Sequence, residues 1–134
     1  TSYVWIHHVP VTFPTMPYTA CRQRYEAYRE KAAADFAPVP YHPNVTMGWD
    51  SSPRTVQADR FENVGYPFMG ALDGNTPEAF REALESAREW LARSGQAAPA
   101  LTINAWNEWT EGSYLEPDTV RGYGYLQAIR TVFG

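Results

Sequence analysis

The chain has 134 residues, 44% of them hydrophobic, which is enough for one ordinary domain with a core and too few for two. A formal charge of −4 without any cluster of Lys or Arg excludes a nucleic-acid surface, which needs a concentrated basic face. No apolar run approaches the ~18 residues of a membrane span, and an aromatic fraction of 15% supplies flat rings suited to a large core or to stacking on sugars.

In chain order, Tyr3-Val4-Trp5-Ile6 is rich in β-branched and aromatic residues and predicts a strand, followed by an irregular proline-rich loop over residues 10–17. Opening on such a run without an initiator Met, the sequence reads as a piece whose upstream part lies elsewhere. His7 and His8 follow the strand. Adjacent strand side chains point to opposite faces and cannot easily share one metal, so a structural or solvent-facing role is expected for them. A helix is predicted over residues 18–34, with Cys21, Tyr25, Tyr28 and Ala32 along one side, and Pro38, Pro40 and Pro43 end it. Cys21 is the lone cysteine and reads as a small buried residue.

Residues 44–50 begin as a short strand and close with the turn chemistry of Asp50-Ser51-Ser52-Pro53. The sequon Asn44-Val45-Thr46 is too frequent by chance to carry weight. A further short extended piece is expected within 66–72. The clearest element follows: Thr76 caps, Pro77 opens, and Phe80, Ala83, Leu84, Ala87, Trp90 and Leu91 form an apolar stripe up to Gly95. Trp5 and Trp90 are expected in the core. Residues 99–106 predict a strand, 107–122 an irregular segment, and 123–133 a last helix with Leu126 and Ile129 inward. Strands alternating with helices give an α/β chain with a parallel sheet buried on both faces. A (β/α)₈ barrel takes about 250 residues. The expectation is therefore a single partial domain, the C-terminal part of a TIM-type barrel with about three βα units.

The chemistry concentrates in Trp106-Asn107-Glu108-Trp109-Thr110-Glu111-Gly112, where two carboxylates lie three residues apart just beyond a predicted strand. That is where a barrel keeps its active site. If the segment turns helically, positions i and i+3 share one side, at about the ~5–5.5 Å separation of retaining glycosidases. Sugar cleavage needs such a pair, because one group protonates the leaving oxygen while the other attacks or activates the attacker. Trp106, Asn107 and Trp109 beside the pair are candidates for sugar contact. Asp50 and Arg54, beyond an earlier strand end, fit either sugar binding or an ion pair that shapes the loop. Tyr114 and Glu116 fit the cleft wall, or Glu116-Pro117-Asp118 a rigid turn.

The run from Asn104 through Glu108 and Glu111 to Leu115-Glu116-Pro117-Asp118, followed by Gly124-Tyr125-Leu126, closely resembles the signature of WbsX-like proteins, relatives of glycoside hydrolase family 99. Gly48-Trp49-Asp50-Ser51-Ser52-Pro53-Arg54 resembles a second block of that family. The resemblance implies a (β/α)₈ barrel and retaining cleavage of α-mannosidic linkages. It makes Glu108 the base acting on the substrate's own 2-hydroxyl and Glu111 the acid and then base, and it puts Arg54 near the sugar cleft. Trp49 is also implied at the site, where the hydrolases tend to have Tyr, and Thr110 stands where they usually carry His. WbsX-like proteins have also been labelled glycosyltransferases of polysaccharide assembly. The partner expected is thus an oligosaccharide or polysaccharide, with no cofactor, no metal and no nucleic acid. The competing expectations are a carbohydrate-binding remnant without turnover, and a structural piece that needs the missing N-terminal part of the barrel or self-association. Keeping both Glu108 and Glu111 favours the enzyme.

Overall fold

Helices carry most of the regular structure, because each strand is only two or three residues long. The computed structural model describes residues 1–56 and 61–134. After a single 3₁₀ turn at Trp5–His7, strand β1 (Thr15–Pro17) leads directly into helix α1 (Tyr18–Asp35). Strand β2 (Asn44–Thr46), a 3₁₀ turn at Ser52–Arg54, strand β3 (Ala71–Asp73) and helix α2 (Pro77–Arg93) come next. Strand β4 (Thr102–Asn104), the hairpin strands β5 (Asn107–Glu108) and β6 (Ser113–Tyr114), and helix α3 (Gly124–Phe133) complete the chain. Two parallel pairs result: β1 beside β3, with Met16 opposite Leu72, and β2 beside β4, with Val45 opposite Ile103. The Leu72 N–H donates to the Trp49 carbonyl at 2.7 Å and links the pairs. The architecture is mixed α/β, and β2 is buried at all three positions, as a covered parallel strand requires.

Helix α2 forms as its sequence dictates. Thr76 Oγ1 accepts the Ala79 N–H at 3.2 Å, Pro77 occupies the first turn, and Phe80, Ala83, Leu84, Ala87 and Trp90 are buried. It packs against α3, where Phe80 meets Tyr125 edge-on with ring centroids 5.7 Å apart. Gly124 lets the two helices approach, since a Cβ there would stand 2.7 Å from Pro77 Cγ. The inward face of α3 is turned from the expected one: Tyr125, Ala128 and Val132 are buried, and Leu126 and Ile129 flank them half-buried. Along α1, Arg29 joins Tyr18, Cys21, Tyr25 and Ala32 on the buried side, its guanidinium 5.3 Å from the Trp90 ring centre. Tyr28 is displaced to the flank, where it stacks on His8 at 4.4 Å. Cys21 is fully buried, and burial pushes its thiol up to about 11.

Two expectations are corrected. Residues 3–6 do not form a strand: Trp5–His7 make a 3₁₀ turn, and partners distant in the chain hold Trp5 there. The Trp5 ring lies between Tyr18 and Tyr25, its indole N–H donating to the Asn44 carbonyl at 2.9 Å and its backbone N–H to Thr46 Oγ1 at 3.0 Å. The expected loop at 10–17 ends instead in β1, whose Pro17 is tolerated because its pair with β3 stands alone, as at a sheet edge. No helix of the described residues is long and apolar enough to cross a membrane.

Phe80 is fully buried where α2 meets α3. Phe80→Ala should destabilise the protein by ~3–5 kcal/mol in chemical denaturation. A loss below ~1 kcal/mol, the size of a surface change, would contradict this packing.

Candidate active site

The site begins where β4 ends. Asn104 closes that strand and is buried, as is Ser113 at the start of β6. Ser113 Oγ lies 2.9 Å from the Gly48 carbonyl and 2.5 Å from Asn104 Oδ1, fastening the hairpin to the ends of both parallel strands. In the hairpin, Asn107 faces Tyr114 and Glu108 faces Ser113. Between them Trp109–Glu111 make one 3₁₀ turn, closed by Gly112 in the left-handed conformation at φ 58°. The expected helical spacing of the two glutamates is thus a tighter turn inside a hairpin, and Glu108 stands just before it.

A second loop is pinned against this turn. The Asp50 N–H donates to the Glu111 carbonyl at 2.7 Å, and Asp50 Oδ1 accepts the Ser52 N–H at 2.9 Å. The Arg54 N–H donates to the Ser51 carbonyl at 3.0 Å, which completes the Ser52–Arg54 turn and sends the guanidinium across the hairpin. Arg54 Nη2 reaches Glu108 Oε2 at 3.1 Å, Nη1 reaches Glu111 Oε1 at 2.8 Å, and Nε donates to Thr110 Oγ1 at 2.7 Å. The two carboxylates therefore share one cation, on neighbouring nitrogens of a planar fork. Tyr66 joins them: Arg54 Nη1 donates to its hydroxyl, and the hydroxyl donates to Glu111 Oε1 at 3.1 Å. The hydrogen bond to Tyr66 first, and then the charges of Glu111 and Glu108, outweigh desolvation and hold Arg54 above its ordinary value. Glu111 is the more enclosed of the pair, with 11% of its side chain exposed against 38% for Glu108.

Of the other predicted site residues, Trp109 stacks on Tyr114 with ring centroids 3.7 Å apart and planes 16° from parallel. Its indole N–H donates to Glu116 Oε2 at 2.6 Å, so the half-exposed ring is held both at its face and at its edge. Trp106 is exposed, and its carbonyl accepts the N–H groups of Leu115 and Glu116. Asn107 is exposed on β5. Trp49 is buried and offers no open stacking face; it lies 6.4 Å from the Tyr66 ring. With Asp50, Gly112 and Tyr114 it lines a cavity of about 200 Å³ that the glutamates do not border. Arg54 forms its ion pairs with Glu108 and Glu111. Asp118 accepts the N–H groups of Val120 and Arg121, and these bonds, Arg121's first, hold its carboxyl below the usual range, so the segment after Glu116 is a capped turn. Reasoning from sequence missed Tyr66 as a site residue. It reads there only as the start of a short extended piece, and its partner Glu111 is 45 positions away.

A Cβ on Gly112 would come within 2.9 Å of Asp50 Cβ and 3.0 Å of its nitrogen. Gly112→Ala should therefore cost ~1–3 kcal/mol, from the left-handed backbone and the clash together. Wild-type stability in a thermal melt would show that the turn is not closed in this way.

Comparison with known proteins shows the family. Relatives described as uncharacterized protein WxcX, from two strains of Xanthomonas campestris pv. campestris, are 37% identical over 90 residues. The matched stretch is 66% of this chain and 12% of the relative, so the chain spans about an eighth of the curated relatives it matches. No solved structure matches it. The model of the family described as glycosyltransferase WbsX matches residues 6–129, nearly the whole chain and both loops that meet at Arg54. The chain belongs to the WbsX family.

Proposed function

We propose that the chain carries the catalytic centre of a larger enzyme that acts on glycosidic bonds of a glycan, as the C-terminal part of a (β/α)₈ barrel. The observation that carries this reading is the placement of Glu108 and Glu111 on one guanidinium, directly beyond the end of the parallel strand β4. The preferred reaction is retaining hydrolysis of an α-mannoside-type linkage. Glu108 takes the proton of the substrate's 2-hydroxyl, and that oxygen attacks C1. Glu111 gives its proton to the departing glycosidic oxygen, leaving a 1,2-anhydro sugar and a free alcohol. Water then attacks C1 and loses a proton to Glu111, while Glu108 returns its proton to O2. Both glutamates end in their starting states.

Arg54 and the tilt of each carboxyl suit this division. The hydrogen bonds from Arg54 and Tyr66 fall on Oε2 of Glu108 and Oε1 of Glu111, which leaves the other oxygen of each for substrate. The exposed Trp106 and the braced Trp109 offer stacking faces for sugar rings beside the pair. The family's description favours a second reading, transfer, in which a sugar hydroxyl of an acceptor takes the place of water in the second step.

The longer protein that contains this chain, incubated with α-mannosides and bacterial polysaccharides, should release new reducing ends or pass sugar to an added acceptor. Glu108→Gln and Glu111→Gln should each slow turnover by ~10²–10⁴, with substrate binding kept because Gln preserves shape and one acceptor oxygen. Binding without turnover by the unaltered protein would leave a carbohydrate-binding module in place of an enzyme. Unchanged turnover in both variants would make the pair structural.

A further inference from the structure

We propose that Tyr66 is a positioning residue for Glu111, setting the rotation of its carboxyl so that Oε2 carries the proton; this rests on the reading of Glu111 as the acid. Two donors from different chain segments converge on Glu111 Oε1: Arg54 Nη1 at 2.8 Å and the Tyr66 hydroxyl at 3.1 Å. One donor leaves a carboxyl free to swing about its terminal torsion, whose preferences are broad. Two donors from distinct directions fix its plane. Arg54 cannot do this alone, because it also serves Glu108 and Thr110 and moves with whichever of them moves.

Tyr66 is built to hold still. The Val64 N–H donates to the Phe68 carbonyl at 3.1 Å across the turn, with Gly65 at φ 90°. Ser51 Oγ donates to the Pro67 carbonyl at 2.7 Å, tying the turn to the loop that carries Arg54. The Arg54 guanidinium stands 5.9 Å from the Tyr66 ring centre, and Trp49 flanks the ring. Tyr66 is nevertheless 54% exposed, so its burial stabilises the fold little. The hydroxyl has both of its hydrogen bonds with site groups. Its use is therefore local to Glu111, and it can be removed without unfolding the protein.

The test removes that hydroxyl with Tyr66→Phe in the longer protein and reads two quantities. The first is mass-spectrometric labelling of Glu108 and Glu111 by a water-soluble carbodiimide and an amine at one fixed pH, which requires no turnover. Tyr66→Phe should change the labelling of Glu111 at least ~2-fold, the effect of losing one hydrogen bond of modest strength, and leave that of Glu108 unchanged. The second compares a mannosyl disaccharide with an aryl α-mannoside whose leaving group needs no proton. On the disaccharide, kcat should fall ~10-fold with KM nearly unchanged. On the aryl substrate the first-step rate should return to the wild-type value, following the pattern of Glu111→Gln in weaker form. A merely structural Tyr66 would slow both substrates alike. Unchanged Glu111 labelling, or equal slowing of both substrates, overturns the role of Tyr66 while leaving the catalytic pair intact. Absence of turnover by the unaltered protein, or full activity of Glu111→Gln, overturns the reading of the pair and this inference with it.

Discussion

Glu108 and Glu111 stand at either end of a one-turn hairpin, and the backbone holds their charges close whether or not they attract. When both are ionised their like charges repel near a protein surface, and a cation between them offsets that repulsion. Arg54 supplies it from a separate loop. Its planar fork matters as well as its charge, since each of its three nitrogens has a different partner: Glu108, Glu111 and Thr110. A lysine offers one compact charge and could not hold three directions at once. The half-exposed pair with Glu108 contributes little to stability. What it fixes is geometry. The demand that Arg54 reach both carboxylates explains why the Asp50 loop must lie against the hairpin and why Gly112, facing Asp50, has no side chain.

Behind the charged surface the fold depends on polar groups that are buried and bonded. Asn44 and Thr46 point away from Val45 on β2, and Thr46 Oγ1 both accepts the Trp5 N–H and donates to Asn44 Oδ1 at 2.8 Å. The Tyr25 hydroxyl takes the Asn44 N–H at 3.0 Å and contacts Ser2 Oγ at 2.6 Å. Removing any one member would leave a buried donor or acceptor unpaired, at a cost of about 1–3 kcal/mol. The network fixes the register of β2, and Ser113 carries that register forward to the hairpin through Gly48 and Asn104. The carboxylates are thus held from behind by strands and from the side by Arg54.

What was legible in the sequence follows from the range of each interaction. Helix α2 could be read in full, because its cap, its opening proline and its apolar stripe all lie within one stretch of chain. The glutamate pair was legible for a similar reason: both acids and their flanking tryptophans are contiguous. Trp5 was misread as part of a strand because its indole satisfies itself on Asn44, 39 positions away, and no local pattern announces that. Trp49 was implied at the site by its place in a motif, and it is buried beside Tyr66. Arg29 stands outside the apolar spacing read along α1, and it is the ring of Trp90, distant in the chain, that lies against its guanidinium. Local periodicity identifies elements, whereas partners across loops decide which side chain of an element does the work.

The two departures from the hydrolase pattern acquire a physical meaning from this geometry. Thr110, in place of the usual His, accepts the Arg54 Nε–H at 2.7 Å, and Trp49, in place of Tyr, flanks the ring of Tyr66. Neither has a hydrogen bond to a carboxylate; each supports a residue that does. A histidine at position 110 is a larger group that can itself donate or accept a proton, while threonine offers one short hydroxyl and leaves room between Arg54 and the hairpin. The departures therefore leave the acids in place and alter what surrounds and aims them. Under the proposed function, surroundings of this kind would govern which sugar fits and whether water or an acceptor hydroxyl reaches C1, and the acids would govern the breaking of the bond. On the proposed function, exchanging the residues that hold Arg54 and Tyr66 would change the choice between water and an acceptor while Glu108 and Glu111 stay in place.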